Sequence, residues 1–180
     1  MRRFVIAGAL SLLGAAAFAQ DVKTDYDKDA NFAAVKTFAI KIGTGWNNPI
    51  SEKRVLAEFT DELTQKGWTK AADEASADAI VVLHGATQVK KDLNTFYSGM
   101  GGYGYRGWGG GGMGTATTTT SEYTVGTLVV DIFNAKSKGL MFRGIAQDEL
   151  SDKPEKNQKK LAKASDKMFK DFPPGSKDKK

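Results

Sequence analysis

Tyr123-Thr124-Val125-Gly126-Thr127-Leu128-Val129-Val130-Asp131-Ile132-Phe133 runs into the polar stretch Asn134 to Gly139 and is followed by Leu140 to Leu150. Leu128, Val130 and Ile132 occupy alternate positions, which places them on one face of an extended chain. Two such arms around a polar turn form an antiparallel hairpin, and this hairpin is the centre from which the rest of the fold is read. Upstream, Asp78 to Val89 carries Ala79-Ile80-Val81-Val82-Leu83, a nearly continuous apolar run that reads as a largely buried strand. Val22 to Asp27 and Val35 to Ile42 alternate as well, and read as two short strands around an Asp29 to Ala34 turn.

Helix signals flank these strands. Asn48-Pro49 places a capping side chain before a proline suited to the first helical position, and Val55, Leu56, Phe59 and Leu63 then share one face until Gly67. Trp68-Thr69-Lys70 reads as a short strand, and Asp73 to Ala77 as a turn. After the hairpin, Asp152 and Pro154 open a last helix in which Leu161, Ser165, Met168 and Phe169 keep helical spacing, until Pro173-Pro174 stops it. Strands grouped between two helices predict an α+β fold, an antiparallel or mixed β-sheet with two helices packed on one face, rather than alternating βαβ units.

Between the strand near Ile80 and a Thr115 to Thr124 strand lies Gly99 to Gly114, in which ten of sixteen residues are glycine. Glycine loses the most backbone entropy on ordering, so this segment is expected to be a long mobile loop between two strands. Tyr103, Tyr105, Arg106 and Trp108 sit in it. Aromatic rings with polar handles on such a tether suit stacking on a glycan or peptide, or resting at a membrane surface, and these four residues are the candidate contacts for a ligand or partner.

The chain begins with Arg2-Arg3, an apolar run from Phe4 to about Phe18, and the small-x-small sequence Ala17-Phe18-Ala19. That pattern predicts a secretory signal peptide over residues 1–19, cleaved near Ala19. The run is too short to span a membrane, and no second one of sufficient length follows. The expected organisation is a leader, one α+β domain over 20–174 and a charged tail over 175–180, with the mature protein periplasmic or secreted. The 180 residues contain no cysteine, so neither disulfides nor thiol chemistry is available. The net charge of +5 falls to +3 once Arg2 and Arg3 are removed, a mild excess that suits solubility and gives no nucleic-acid footprint.

Several motifs imitate known chemistry without completing it. Gly102-x-Gly104-x-x-Gly107 has the letters of a dinucleotide loop, but more glycine and then threonine follow it where a helix is required. Asp25-x-Asp27-x-Asp29 opens like a calcium loop, yet Ala30 and Lys36 stand where glycine and a bidentate glutamate are needed. The single histidine, His84, lies in a strand with no second histidine or cysteine to join it. Glu58, Asp61 and Glu62 share a helix with Lys53, Arg54 and Lys66 and read as a solvated face. No catalytic residue, metal ligand or cofactor is therefore assigned.

Val22-Lys23-Thr24-Asp25-Tyr26-Asp27, Asn31-Phe32 and Lys36-Thr37-Phe38-Ala39 resemble the opening of the domain of unknown function 4136 family of bacterial envelope proteins. Leu63-x-x-Lys66-Gly67-Trp68, Ala77-Asp78-Ala79-Ile80-Val81-Val82 and Met168-Phe169-x-x-Phe172-Pro173-Pro174 are similar too. The most specific part is Gly126-Thr127-Leu128-x-x-Asp131 with Arg143-Gly144. The resemblance implies a small α+β domain, commonly on an envelope lipoprotein, with no established activity. This leader lacks the cysteine that lipid attachment requires, and Phe142 replaces the tryptophan often found before Arg-Gly. The leading expectation is an exported, non-enzymatic domain that binds or scaffolds something in the cell envelope, an envelope protein, glycan or peptide. A glycan- or peptide-binding module using the aromatic loop comes second, and a hydrolase with an unidentified carboxylate site third.

Overall fold

The computed structural model describes residues 20–97 and 116–174; the expected leader, the tail and the segment Gly99 to Gly114 with its four candidate contacts lie outside the described residues. In chain order the elements are β1 (Asp21–Tyr26), a 3-10 turn (Phe32–Ala34), β2 (Thr37–Ile42), α1 (Pro49–Gln65) and β3 (Thr69–Lys70). β4 (Ala79–Tyr97), β5 (Ala116–Asn134), β6 (Leu140–Glu149) and α2 (Pro154–Met168) follow. The strands form one sheet in the order β1-β6-β5-β4-β2-β3. β1, β6, β5 and β4 are mutually antiparallel neighbours, while β2 runs parallel to both β4 and β3. The sheet is thus mixed and the fold α+β, with the parallel strands β2 and β3 joined through α1 and β3 joined to β4 past β2.

One face of the sheet is the core face. The ladder sets Val81 opposite Ile132 and Ile132 opposite Phe142, and next to them Leu83 opposite Val130 and Val130 opposite Gly144. Val81, Leu83, Val130 and Ile132 are fully buried, together with Phe38 of β2. Both helices cover this face and join one apolar cluster, with Phe59 and Leu63 from α1, Met168 from α2, and Phe169 just beyond it. The Phe169 ring stands 4.8 Å from Phe172, 5.5 Å from Phe142 and 5.8 Å from Phe59, centroid to centroid, tying the helix layer to the sheet.

Local chemistry explains where the helices start and stop. The Ser51 N–H donates to Asn48 Oδ1 at 3.1 Å and Pro49 occupies the first helical position, as the sequence predicts. At the other end Gly67 takes a φ of +92°, the Trp68 N–H bonds the Leu63 carbonyl, and the Gly67 N–H bonds the Thr64 carbonyl. This is a Schellman ending, sealed by the buried Leu63 and Trp68 side chains. α2 opens differently from the expectation. Asp152 caps nothing; Lys153 is the N-cap without a side-chain bond, and Asn157 reaches back to Ser151, accepting from its N–H and donating to its carbonyl at 2.7 Å each.

β1 and β2 flank a turn in sequence but not in space, since β6, β5 and β4 lie between them. The connection crosses the end of the sheet and inserts Phe32 and Val35 into the core. Asp78, at the mouth of β4, holds the arrival point: its Oδ2 accepts from the Lys36 and Thr37 N–H groups and from the Thr37 hydroxyl, each at 3.0 Å. These bonds hold the Asp78 carboxyl below the usual carboxylate range.

Candidate functional site

Two regions outside the close-packed core deserve a functional reading, an arm and a cleft at its root. β4 and β5 pair residue for residue from Ala79 opposite Asn134 to Tyr97 opposite Ala116. The strand expected over Asp78 to Val89 therefore continues eight residues further, and the separate Thr115 to Thr124 strand is the outer half of β5. β2 leaves the ladder after Ile42 opposite Leu83, and β6 after Glu149 opposite Val125. Beyond Gly85 and Thr124, no other strand among the described residues pairs with the hairpin's outer edges. Twelve residues, 86–97, make an arm of about 40 Å at about 3.3 Å per residue. Covalent connectivity puts Tyr103, Tyr105, Arg106 and Trp108 in the segment joining its two far ends, Tyr97 and Ala116.

The arm's side chains are polar on both faces near its base. Lys90, Lys91, Ser121 and Glu122 are exposed, and Val89 is 59% exposed. Lys91 and Glu122 sit directly opposite each other and form an ion pair, with both side chains more than half exposed. Such a pair contributes little to stability.

At the root of the arm, on the helix side, a cleft of about 250 Å³ opens between the N-terminal halves of α1 and α2, the middle of β5 and the last residues of β6. Trp46, Val55, Leu128, Leu150 and Leu161 supply apolar wall, with Ala146 and Ala164. Trp46 is held closely. A Cβ on Gly85 would fall 1.7 Å from the indole Cε2, so only glycine lets the ring lie on β4. The Trp46 N–H donates to Glu52 Oε1 at 2.9 Å, which fastens the ring's backbone to α1. Among the charged groups lining the cleft, Lys160 is held by Asp148 at 2.9 Å and by the Glu149 carbonyl at 2.6 Å, and Arg54 has no ion-pair partner among the described residues.

The remaining sequence candidates have local roles. His84 lies on the sheet face away from the helices, and its Nδ1 accepts from the Thr44 N–H at 3.1 Å. The Asp27 carboxylate accepts from the Asp29 N–H at 2.9 Å, closing its own turn, and Asp25 does the same for Tyr26. Glu58 differs from a solvated helix face. It is partly buried, and burial, together with Glu62, Asp166 and Asp61, raises its carboxyl above the ordinary range. Among the described residues, no three or more His, Asp or Glu side chains are grouped to hold a metal, and no helix is long and apolar enough to cross a membrane.

The hairpin motif Gly126-Thr127-Leu128-x-x-Asp131 with Arg143-Gly144 is accounted for by packing. Leu128 is buried in the core. Asp131, 3% exposed, receives a two-point bond from Arg143, Nε to Oδ1 at 2.6 Å and Nη2 to Oδ2 at 2.7 Å, directly across the β5–β6 ladder. A Cβ on Gly144 would lie 2.2 Å from Met168 Sδ, and one on Gly126 2.8 Å from Leu150 Cδ2. Asp131 and Arg143 thus join strand to strand, and Gly144 seats the sheet on α2. A family model described as domain of unknown function, DUF4136, matches residues 22–174. The chain belongs to the DUF4136 family.

Solved structures agree with that placement at the level of fold. A DUF4136 family protein from Bacteroides thetaiotaomicron superposes with a TM-score of 0.54 at 17% identity, over 86% of this chain and 96% of its own. A PDZ domain protein from Parabacteroides distasonis gives a TM-score of 0.55 at 16% identity, over 86% of this chain but only 36% of its own length. This DUF4136 chain therefore spans about a third of that larger protein. No sequence among curated proteins matches the chain.

Proposed function

We propose that this DUF4136 protein is an exported, non-enzymatic domain of the cell envelope, periplasmic or secreted after cleavage near Ala19, which binds or scaffolds an envelope partner. The observation that carries the reading is the arm. Its two strands leave the helix-covered body, expose polar side chains on both faces, and lead by connectivity into the segment bearing Tyr103, Tyr105, Arg106 and Trp108. An unpaired strand edge is a template for another chain, and aromatic rings beyond it add contact area. The export part rests on the leader pattern.

In-cell crosslinking tests it, with photoreactive groups placed in the arm segment and, as control, on the exposed face of α1 at Lys53. The arm position should capture a defined envelope component, and the combined Tyr103→Ala, Tyr105→Ala and Trp108→Ala variant should lose it while melting at the same temperature. An unchanged crosslinking pattern in that variant would remove the arm from the function. Mature protein recovered in the membrane fraction would contradict the location.

A further inference from the structure

We propose that the cleft at the root of the arm binds a single-chain acyl carboxylate, its aliphatic tail between Trp46, Val55, Leu128 and Leu161 and its carboxylate on Arg54. The lining of the cleft comes from other parts of the chain than Gly99 to Gly114, and the inference does not depend on the reading above. Its walls set the tail chemistry. Val55 and Leu128 are less than a tenth exposed, Leu161 is partly buried, and the Trp46 ring is clamped against Gly85, so an apolar surface is already formed. A pre-formed apolar cavity with few polar groups is the usual design of a small-ligand site.

The polar inventory sets the head group and argues against a peptide. The backbone of Gly126 to Leu128 is flanked on both sides by paired strands, β4 and β6, so it offers no free edge to an incoming peptide. Asn48 is occupied in capping Ser51, Asn157 in holding Ser151, and Lys160 in holding Asp148. Arg54 remains as the unpaired charge, exposed and lining the same cleft. The first turns of both helices also border it, and their positive ends favour an anion. Gln147 bonds Thr127 and Gln158 is exposed, while Gln20 donates to the Lys160 carbonyl and keeps one unpartnered oxygen, so a ligand with one anionic head and a largely apolar tail matches that remainder.

Trp46 is a built-in reporter. 11-Bromoundecanoate, whose bromine quenches indole emission on contact, is titrated into the protein carrying Trp108→Phe, which leaves Trp46 and the core Trp68. Saturable quenching below the ligand's aggregation concentration is expected, and it should disappear in Trp46→Phe. Arg54→Gln should weaken binding of the carboxylate about tenfold, as loss of a charge-assisted contact implies, and leave the methyl ester unaffected. Gln158→Phe, an exposed cleft-lining position on α2, should obstruct binding without changing the melting temperature. Absence of saturation, equal affinity in Arg54→Gln, or quenching that persists in Trp46→Phe would overturn the proposal. So would tighter binding, by competition, of N-acetyl-leucyl-leucine than of undecanoate.

Discussion

The inner and outer halves of one hairpin behave as two different materials. From Ala79 to Gly85 and from Leu128 to Ile132, alternate residues of β4 and β5 are buried beneath two helices, and a change of a single methyl group there meets another side chain. A few residues further along the same two strands, Lys90, Lys91, Ser121 and Glu122 face water and the ladder has no neighbour. Backbone pairing continues without interruption across this boundary. What changes is what lies on top of it, which shows that hydrogen bonding alone gives the hairpin its shape while side-chain burial gives the body its stability.

The sharpest way to test that division is to disturb a body position where sheet meets helix. Gly144→Ala places a Cβ against Met168, whose side chain is 3% exposed and has little room to withdraw, so α2 must shift. Overpacking of this kind costs about 2 kcal/mol. Urea denaturation of Gly144→Ala should show that loss, and Gly144→Ala combined with Met168→Ala should cost less than the sum of the two single changes, because the cavity from one accepts the methyl of the other. Additive costs would mean that the helix is not seated on Gly144.

The inner half was legible because burial writes a period into sequence. Leu128, Val130 and Ile132 alternate, Asn48-Pro49 and Gly67 bracket α1, and the motif around Asp131, Arg143 and Gly144 pointed to the family. The outer half carries no burial period where Lys90, Lys91, Ser121 and Glu122 are all exposed, so the sequence predicts β4 only as far as Val89 and β5 as two pieces. The separation of β1 from β2 is hidden for a different reason: pairing across 124 residues, as between Val22 and Ala146, leaves no local trace. The cleft was equally unreadable, since Trp46, Arg54, Leu128 and Leu161 come from four separate segments. Nothing in the sequence marks Gly85 as the seat of an indole ring.

A smaller effect should come from the seam between the helices. Burial raises the Glu58 carboxyl, with help from Glu62, Asp166 and Asp61, so the folded state holds this proton more tightly than the unfolded chain does. The stabilisation it provides is fully present below the ordinary glutamate value of about 4.5 and is lost as pH rises through the raised value. Glu58→Gln removes the titration. Stability measured from pH 4 upward should decline less steeply in that variant, whereas a parallel profile would show that Glu58 titrates as a solvated group. Asp78 works in the opposite sense, its lowered carboxyl giving stability that is lost as pH falls, so the two contributions separate on the pH axis.

The smallest expected effect is the one that tests the outer half directly. Replacing residues Lys91 to Glu122 by Asn-Gly closes β4 and β5 with a two-residue turn after Lys90 opposite Tyr123, leaving every pair nearer the body in register. The replacement removes the seven outer ladder pairs together with the conformational entropy lost in ordering their residues, one exposed ion pair among the described residues, worth a few tenths of a kcal/mol, and a long connection whose closure entropy disfavours folding only slightly. Stability should therefore change by less than about 0.5 kcal/mol, against the 2 kcal/mol or so expected for one methyl group at Gly144. A loss as large as the Gly144→Ala cost would place the arm among the elements that hold the body together. Unchanged stability with loss of the crosslinked partner would instead leave the outer half with a single role, carrying contacts away from a body that folds without it.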